Sequence, residues 1–136
     1  MKKEIEKQAE RELIVEMQVL GLDAEHYDTN IDGFPDIMAM GRRAVFIEVK
    51  FDRNKKGSLI QDIMEPTQPV WMHRAEQVGF QNVFLCVFNG ESYNLYETKD
   101  ILRKSLAGLR ISHLPAICSK NTAEGIAAFI YEVCNG

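Results

Sequence analysis

Six apolar side chains follow one another without a break in Val83-Phe84-Leu85-Cys86-Val87-Phe88. Successive residues of a strand point to opposite faces of a sheet, so a strand of this composition needs apolar cover on both sides. The run is about a third of the roughly 20 residues that cross a bilayer as a helix, so it predicts a central strand, not a membrane span. Such a strand demands helices above and below one sheet. The 136 residues suit a single domain, 1–136, with one core.

The helices are visible on either side of that run. Residues 3–20 read as a helix, with Ala9 and Leu13 spaced by four, Met17 and Leu20 thickening the apolar content, and Gly21 as the stop. A polar stretch, Asp23 to Asp32, reads as a connection. Asp36 to Met40 and Ala44 to Phe51 read as two strands joined by the short turn Gly41-Arg42-Arg43. Asp52 to Glu65 has turn residues, charge and no sustained period, and is predicted to be a long mobile loop. Thr67 caps a helix that runs to about Val78, with Pro69 tolerated in its first turn. Tyr93 to Glu97 reads as the hairpin partner of the central strand across Asn89-Gly90. A short helix is expected from Lys99 to Leu106. Asn121-Thr122-Ala123-Glu124 has the form of a capping box before a helix whose buried face is Ile126, Phe129, Ile130 and Val133. The order predicts an α/β or α+β chain built on a single sheet.

The chemistry concentrates around the first two strands. With a three-residue turn at 41–43, Met40 faces Ala44, and counting outward sets Asp36 opposite Glu48. Like charges at facing sheet positions destabilise the sheet unless something compensates them. Lys50, two residues beyond Glu48, projects from the same face. Two carboxylates beside the Val49 carbonyl suit a hard divalent ion such as Mg²⁺ or Mn²⁺. An ammonium next to such an ion can orient water or stabilise charge developing on a phosphate. Charged residues in an otherwise apolar strand are expensive without such a role.

At Gly33-Phe34-Pro35-Asp36 and Glu48-Val49-Lys50 the chain resembles the PD-(D/E)xK nuclease superfamily, and within it the small VRR-NUC group that includes phage-type proteins. The resemblance covers about residues 9–90, and leaves a C-terminal helical extension, about 99–136, without a counterpart. It implies a restriction-endonuclease-like α/β core, a central mixed sheet flanked by helices. It further implies a catalytic set of Asp36, Glu48, Lys50 and Gln68, where Gln68 opens the helix after the loop. A metal set of Asp36, Glu48, the Val49 carbonyl and a glutamate from the first helix is implied too. That glutamate is Glu10 by distance from the helix-ending glycine, with Glu6 the second choice. Mg²⁺- or Mn²⁺-dependent cleavage of DNA follows, as does a homodimer acting on branched substrates such as Holliday junctions. The alternative is a DNA- or protein-binding module that keeps the nuclease fold without catalysis.

The formal charge of −4 argues against a simple polyanion binder only as an average. Between 42 and 56, Arg42, Arg43, Lys50, Arg53, Lys55 and Lys56 face only Glu48 and Asp52, a local excess of four positive charges. With Arg74 on the following helix, this basic edge is the predicted contact to DNA phosphates. Trp71, one turn after Gln68, suits the core better than base stacking. His26, His73 and His113 lack metal-ligand spacing. Cys86, Cys118 and Cys134 form an odd set without C-x-x-C spacing, which predicts reduced thiols and a cytoplasmic protein. The charged N-terminus lacks the apolar segment of a signal peptide. No phosphate-binding glycine loop or Gly-x-Ser-x-Gly elbow is present, so NTPase and serine-hydrolase chemistry have no support.

Overall fold

A computed structural model describes residues 4–27, 29, 31–54, 57–102 and 108–136. The elements are α1 (Glu4–Val19), β1 (Asp23–His26), β2 (Ile37–Met40), β3 (Ala44–Phe51), α2 (Ile60–Ile63), α3 (Thr67–Gln77), β4 (Val83–Phe88), β5 (Tyr93–Glu97) and α4 (Thr98–Leu102). A single 3₁₀ turn (Ile111–His113), β6 (Cys118–Lys120) and α5 (Ala123–Asn135) complete the chain. The strands form one sheet in the order β1-β2-β3-β4-β5-β6. Among the described residues β3 and β4 run parallel, through the crossover that carries α2 and α3, and the other four strand pairings are antiparallel. It is a mixed α/β sheet, as expected. Among the described residues no helix is long and apolar enough to cross a membrane.

The central run divides its side chains as its composition requires. Phe84 and Cys86 join Leu13 and Met17 of α1 and Ile126 and Ile130 of α5 on one face. Val83, Leu85 and Val87 join Ile60, Met72, Ala75 and Ile101 on the other. Burial of so many branched side chains at roughly 1.5–3 kcal/mol each is the main force holding the helices to the sheet. The segment after residue 98 is not helical throughout: β6 extends the sheet, and α5 packs against α1 in the first core.

Several sequence expectations are corrected. The polar stretch after Gly21 holds an edge strand, β1, in which only Ala24 is buried. A strand at a sheet edge needs one apolar contact and otherwise presents polar side chains to water, so alternation is hard to see over four residues. Asp52 ties down Asn54 and Ser58 in the segment predicted to be a mobile loop. The buried Asp52 carboxylate accepts hydrogen bonds from the Asn54 N–H, the Ser58 N–H and the Ser58 hydroxyl at 3.1, 2.9 and 2.7 Å. Ile60 then enters the core as α2 begins. Thr67 does not cap α3: Pro66 occupies the N-cap position, and the Gln68 side chain accepts the Glu65 N–H at 2.9 Å instead. The cap of α5 is Thr122, whose hydroxyl accepts the Gly125 N–H, one residue later than Asn121. The helix predicted from Lys99 to Leu106 is described as Thr98–Leu102, and residues 103–107 lie outside the described residues.

Candidate active site

The register of β2 against β3 pairs Ile37 with Ile47 and Met40 with Ala44, and its continuation sets Asp36 opposite Glu48. Asp36 stands one residue before the ladder. Its Oδ2 accepts the Val49 N–H at 2.9 Å and its carbonyl accepts the Tyr27 N–H at 2.8 Å. Ile47 and Val49 fill the α1 side of the sheet, so Glu48 and Lys50 project from the other. Glu48 is only 1% exposed, and Lys50 Nζ stands 3.8 Å from its Oε1, an ion pair longer than a hydrogen bond.

The approach to Asp36 is shaped by Gly33. Its φ is +79°, and a Cβ there would lie 2.1 Å from the Thr67 carbonyl oxygen. Only glycine both adopts that backbone and lets the loop close on the start of α3. Gln68, on the first turn of α3, is thereby brought to the same place. Asp36, Glu48, Lys50 and Gln68 line one cavity of about 490 Å³.

Of the two helix glutamates, Glu6 lines this cavity. Glu10, one turn along the same helix face, meets Nδ1 of His26, whose ring lines the cavity in turn. His26 therefore links α1 to β1 at the rim, a role its isolated position in the sequence did not suggest. Tyr27 and Phe34, also missed, line the cavity, with ring centroids 5.0 Å apart. Trp71 is buried behind them, as expected of a core residue.

The basic residues do not form one patch. Arg42 and Arg43 sit at the turn end of the hairpin, five strand residues from Glu48 and so about 16 Å away along β3. There the Arg43 guanidinium donates to the Val133 and Gly136 carbonyls at 3.2 and 3.0 Å, and the Arg42 N–H to Asn135 Oδ1 at 3.1 Å. Cationic donors at a helix C-terminus satisfy its last carbonyls. Arg53 lies past the end of β3, its guanidinium 5.4 Å from the Phe51 ring centre. Arg74 is exposed on α3, and Lys55 and Lys56 lie outside the described residues.

The architecture matches a solved structure. Hjc, a Holliday junction resolvase from the archaeal hyperthermophile Archaeoglobus fulgidus, is similar over 80% of this chain and 93% of its own, with a TM-score of 0.53 and 20% identity. This chain has a resolvase-like fold. It is the restriction-endonuclease-like α/β arrangement, a mixed sheet flanked by helices. No protein-family model matches the chain, and no curated protein matches it.

In this resolvase-like frame the cavity offers hard oxygen donors. Among the described residues no three His, Cys, Asp or Glu side chains form a ready-made metal cluster. Mg²⁺ seldom uses such a cage; one or two carboxylates, waters and substrate phosphates usually complete its octahedron. Asp36 and Glu48, side by side at one cavity, fit that pattern. Cys86 stands apart from this cavity: it is fully buried, and burial pushes it from about 9 up to about 12.

Proposed function

We propose that the protein is a divalent-metal-dependent DNA endonuclease acting on branched DNA, Holliday junctions included. The observation that carries this reading is the meeting of Asp36, Glu48, Lys50 and Gln68 at one cavity, on a fold shared with a junction resolvase. The motif order supports a place among the small, phage-type VRR-NUC nucleases, and the reduced thiols support a cytoplasmic site of action. Cutting both strands of a junction calls for two such cavities, and so for a homodimer.

Asp36, Glu48 and the Val49 carbonyl would hold Mg²⁺ or Mn²⁺, with Glu10 or Glu6 supplying the helix carboxylate. When bound, the ion supplies Lewis-acid polarisation of the scissile phosphate. Lys50 brings a fixed positive charge to the same face, where it orients the attacking water and stabilises negative charge developing on the phosphoryl oxygens. Its neighbour Glu48 holds the ammonium close at 3.8 Å. The Gln68 amide oxygen is occupied by the Glu65 N–H, which leaves its NH₂ group free to donate to substrate or water. Arg53 and Arg74 would contact phosphates, as would Lys55 and Lys56, which lie outside the described residues. Arg42 and Arg43 would meet DNA only about 16 Å away along the strand.

The test is incubation of labelled linear, flapped and four-way DNA with the protein, with and without Mg²⁺ or Mn²⁺, beside Asp36→Ala and Lys50→Ala. Metal-dependent cleavage by the wild type alone is expected. Equal cleavage by all three proteins, or none on any DNA, would remove the enzyme reading. Binding without cleavage would turn it into that of a non-catalytic binding module.

A further inference from the structure

We infer that Tyr27 is a stacking platform for an unpaired base next to the scissile phosphate, and so the residue by which this site selects DNA whose base stack is already broken. The inference rests on the nuclease reading above and names what the site recognises.

Tyr27 lines the same cavity as Asp36, Glu48 and Lys50 and is 39% exposed. Its ring leans on Phe34, centroids 5.0 Å apart and planes tilted by 34°. Phe34 is held edge-on by Phe46 and Trp71 at 5.7 and 5.0 Å. The outer ring thus has a rigid aromatic backing that reaches the core. A platform already ordered before binding loses little conformational freedom when a base settles on it.

The backbone ties this platform to the chemistry. The Tyr27 N–H donates to the Asp36 carbonyl at 2.8 Å, and Gly33 sits close against the Thr67 carbonyl. Ring and carboxylate therefore keep a fixed spacing. In a continuous duplex both faces of every base are covered by neighbours, so an aromatic ring beside the cleaved phosphate finds no face to cover. At a branch or flap a base can turn out at little unstacking cost. Stacking of one base on an aromatic side chain contributes about 1–3 kcal/mol, or roughly 5- to 150-fold in affinity.

The test compares wild type, Tyr27→Phe, Tyr27→Leu and Tyr27→Ala for binding to flapped and fully paired DNA, with Ca²⁺ in place of Mg²⁺ so that binding is read without cleavage. Leucine keeps the apolar contact with Phe34 and guards against misfolding. Expected is a roughly 5- to 150-fold loss on flapped DNA for the leucine and alanine variants, none on paired DNA, and rescue by phenylalanine. With Mg²⁺ the same loss should appear in KM on flapped DNA and not in kcat. Equal losses on both DNAs, no loss on either, or a phenylalanine variant as weak as leucine would overturn the inference. Absence of cleavage by the wild type would overturn the nuclease reading instead, while the binding comparison still decides the role of Tyr27.

Discussion

Single residues around the cavity combine function with local cost. Gly33 combines φ +79° with a 2.1 Å approach to the Thr67 carbonyl that no Cβ can share. Gly33→Ala should lower stability by about 1–3 kcal/mol and, by moving Asp36, reduce cleavage more than a surface variant of equal stability; urea unfolding and cleavage rates measured together check this. Glu48 and Lys50 were legible as a pair because alternation in a strand fixes which neighbours share a face. Asp36 was legible because the length of the turn sets the register. The choice between Glu6 and Glu10 was not, since residues four apart share one helix face and only the docking of α1 on the sheet decides which reaches the cavity. Tyr27 was hidden for a related reason: it follows a strand too short and polar to be seen, and its partner Phe34 is seven residues away.

Among the elements, those with two-sided burial announce themselves and those at edges do not. The six residues of β4 are apolar throughout, whereas β6 buries no residue fully. No period marks the contacts after β3, because one side chain makes them: Asp52 gathers two backbone N–H groups and a hydroxyl. Asp52→Ala should leave those donors unsatisfied and lower stability by about 1–3 kcal/mol or more, with faster proteolytic cutting between residues 52 and 60 as the direct readout. At the far end of the sheet, Arg43 holds the last carbonyls of α5. Arg43→Ala should cost about 0.3–1 kcal/mol in thermal unfolding, and leave the rate of cleavage at saturating DNA unchanged, because the cavity lies at the other end of β3.

At the scale of the molecule, the two apolar layers account for the fold, and buried neutral groups set its tolerance of alkali. Burial raises the Cys86 thiol to about 12, and burial, with the hydrogen bond to Glu12 next, raises the Tyr93 hydroxyl. Both groups prefer to stay protonated when folded, so the unfolded chain binds fewer protons above its own thiol and phenol values. The Cys86 contribution is complete below pH 9 and is lost as pH rises toward 12, and the Tyr93 contribution is lost as pH rises above 10; the urea midpoint should hold from neutral pH to about pH 9 and be lower at about pH 10.5. The charge distribution also reads differently from its average. The net −4 includes carboxylates gathered at the cavity, so bound cation, not the protein alone, would make this face acceptable to DNA.

In the proposed function Asp36 and Glu48 together hold one divalent ion at this cavity. Electron paramagnetic resonance of Mn²⁺ titrated into the wild type, Asp36→Asn and Glu48→Gln measures this without reference to any substrate. The wild type should take up Mn²⁺ with competition from Mg²⁺, and each variant should weaken that uptake at least about tenfold, the effect typical of losing a metal-supporting group. Uptake unchanged in both variants, or no uptake by the wild type, would contradict it.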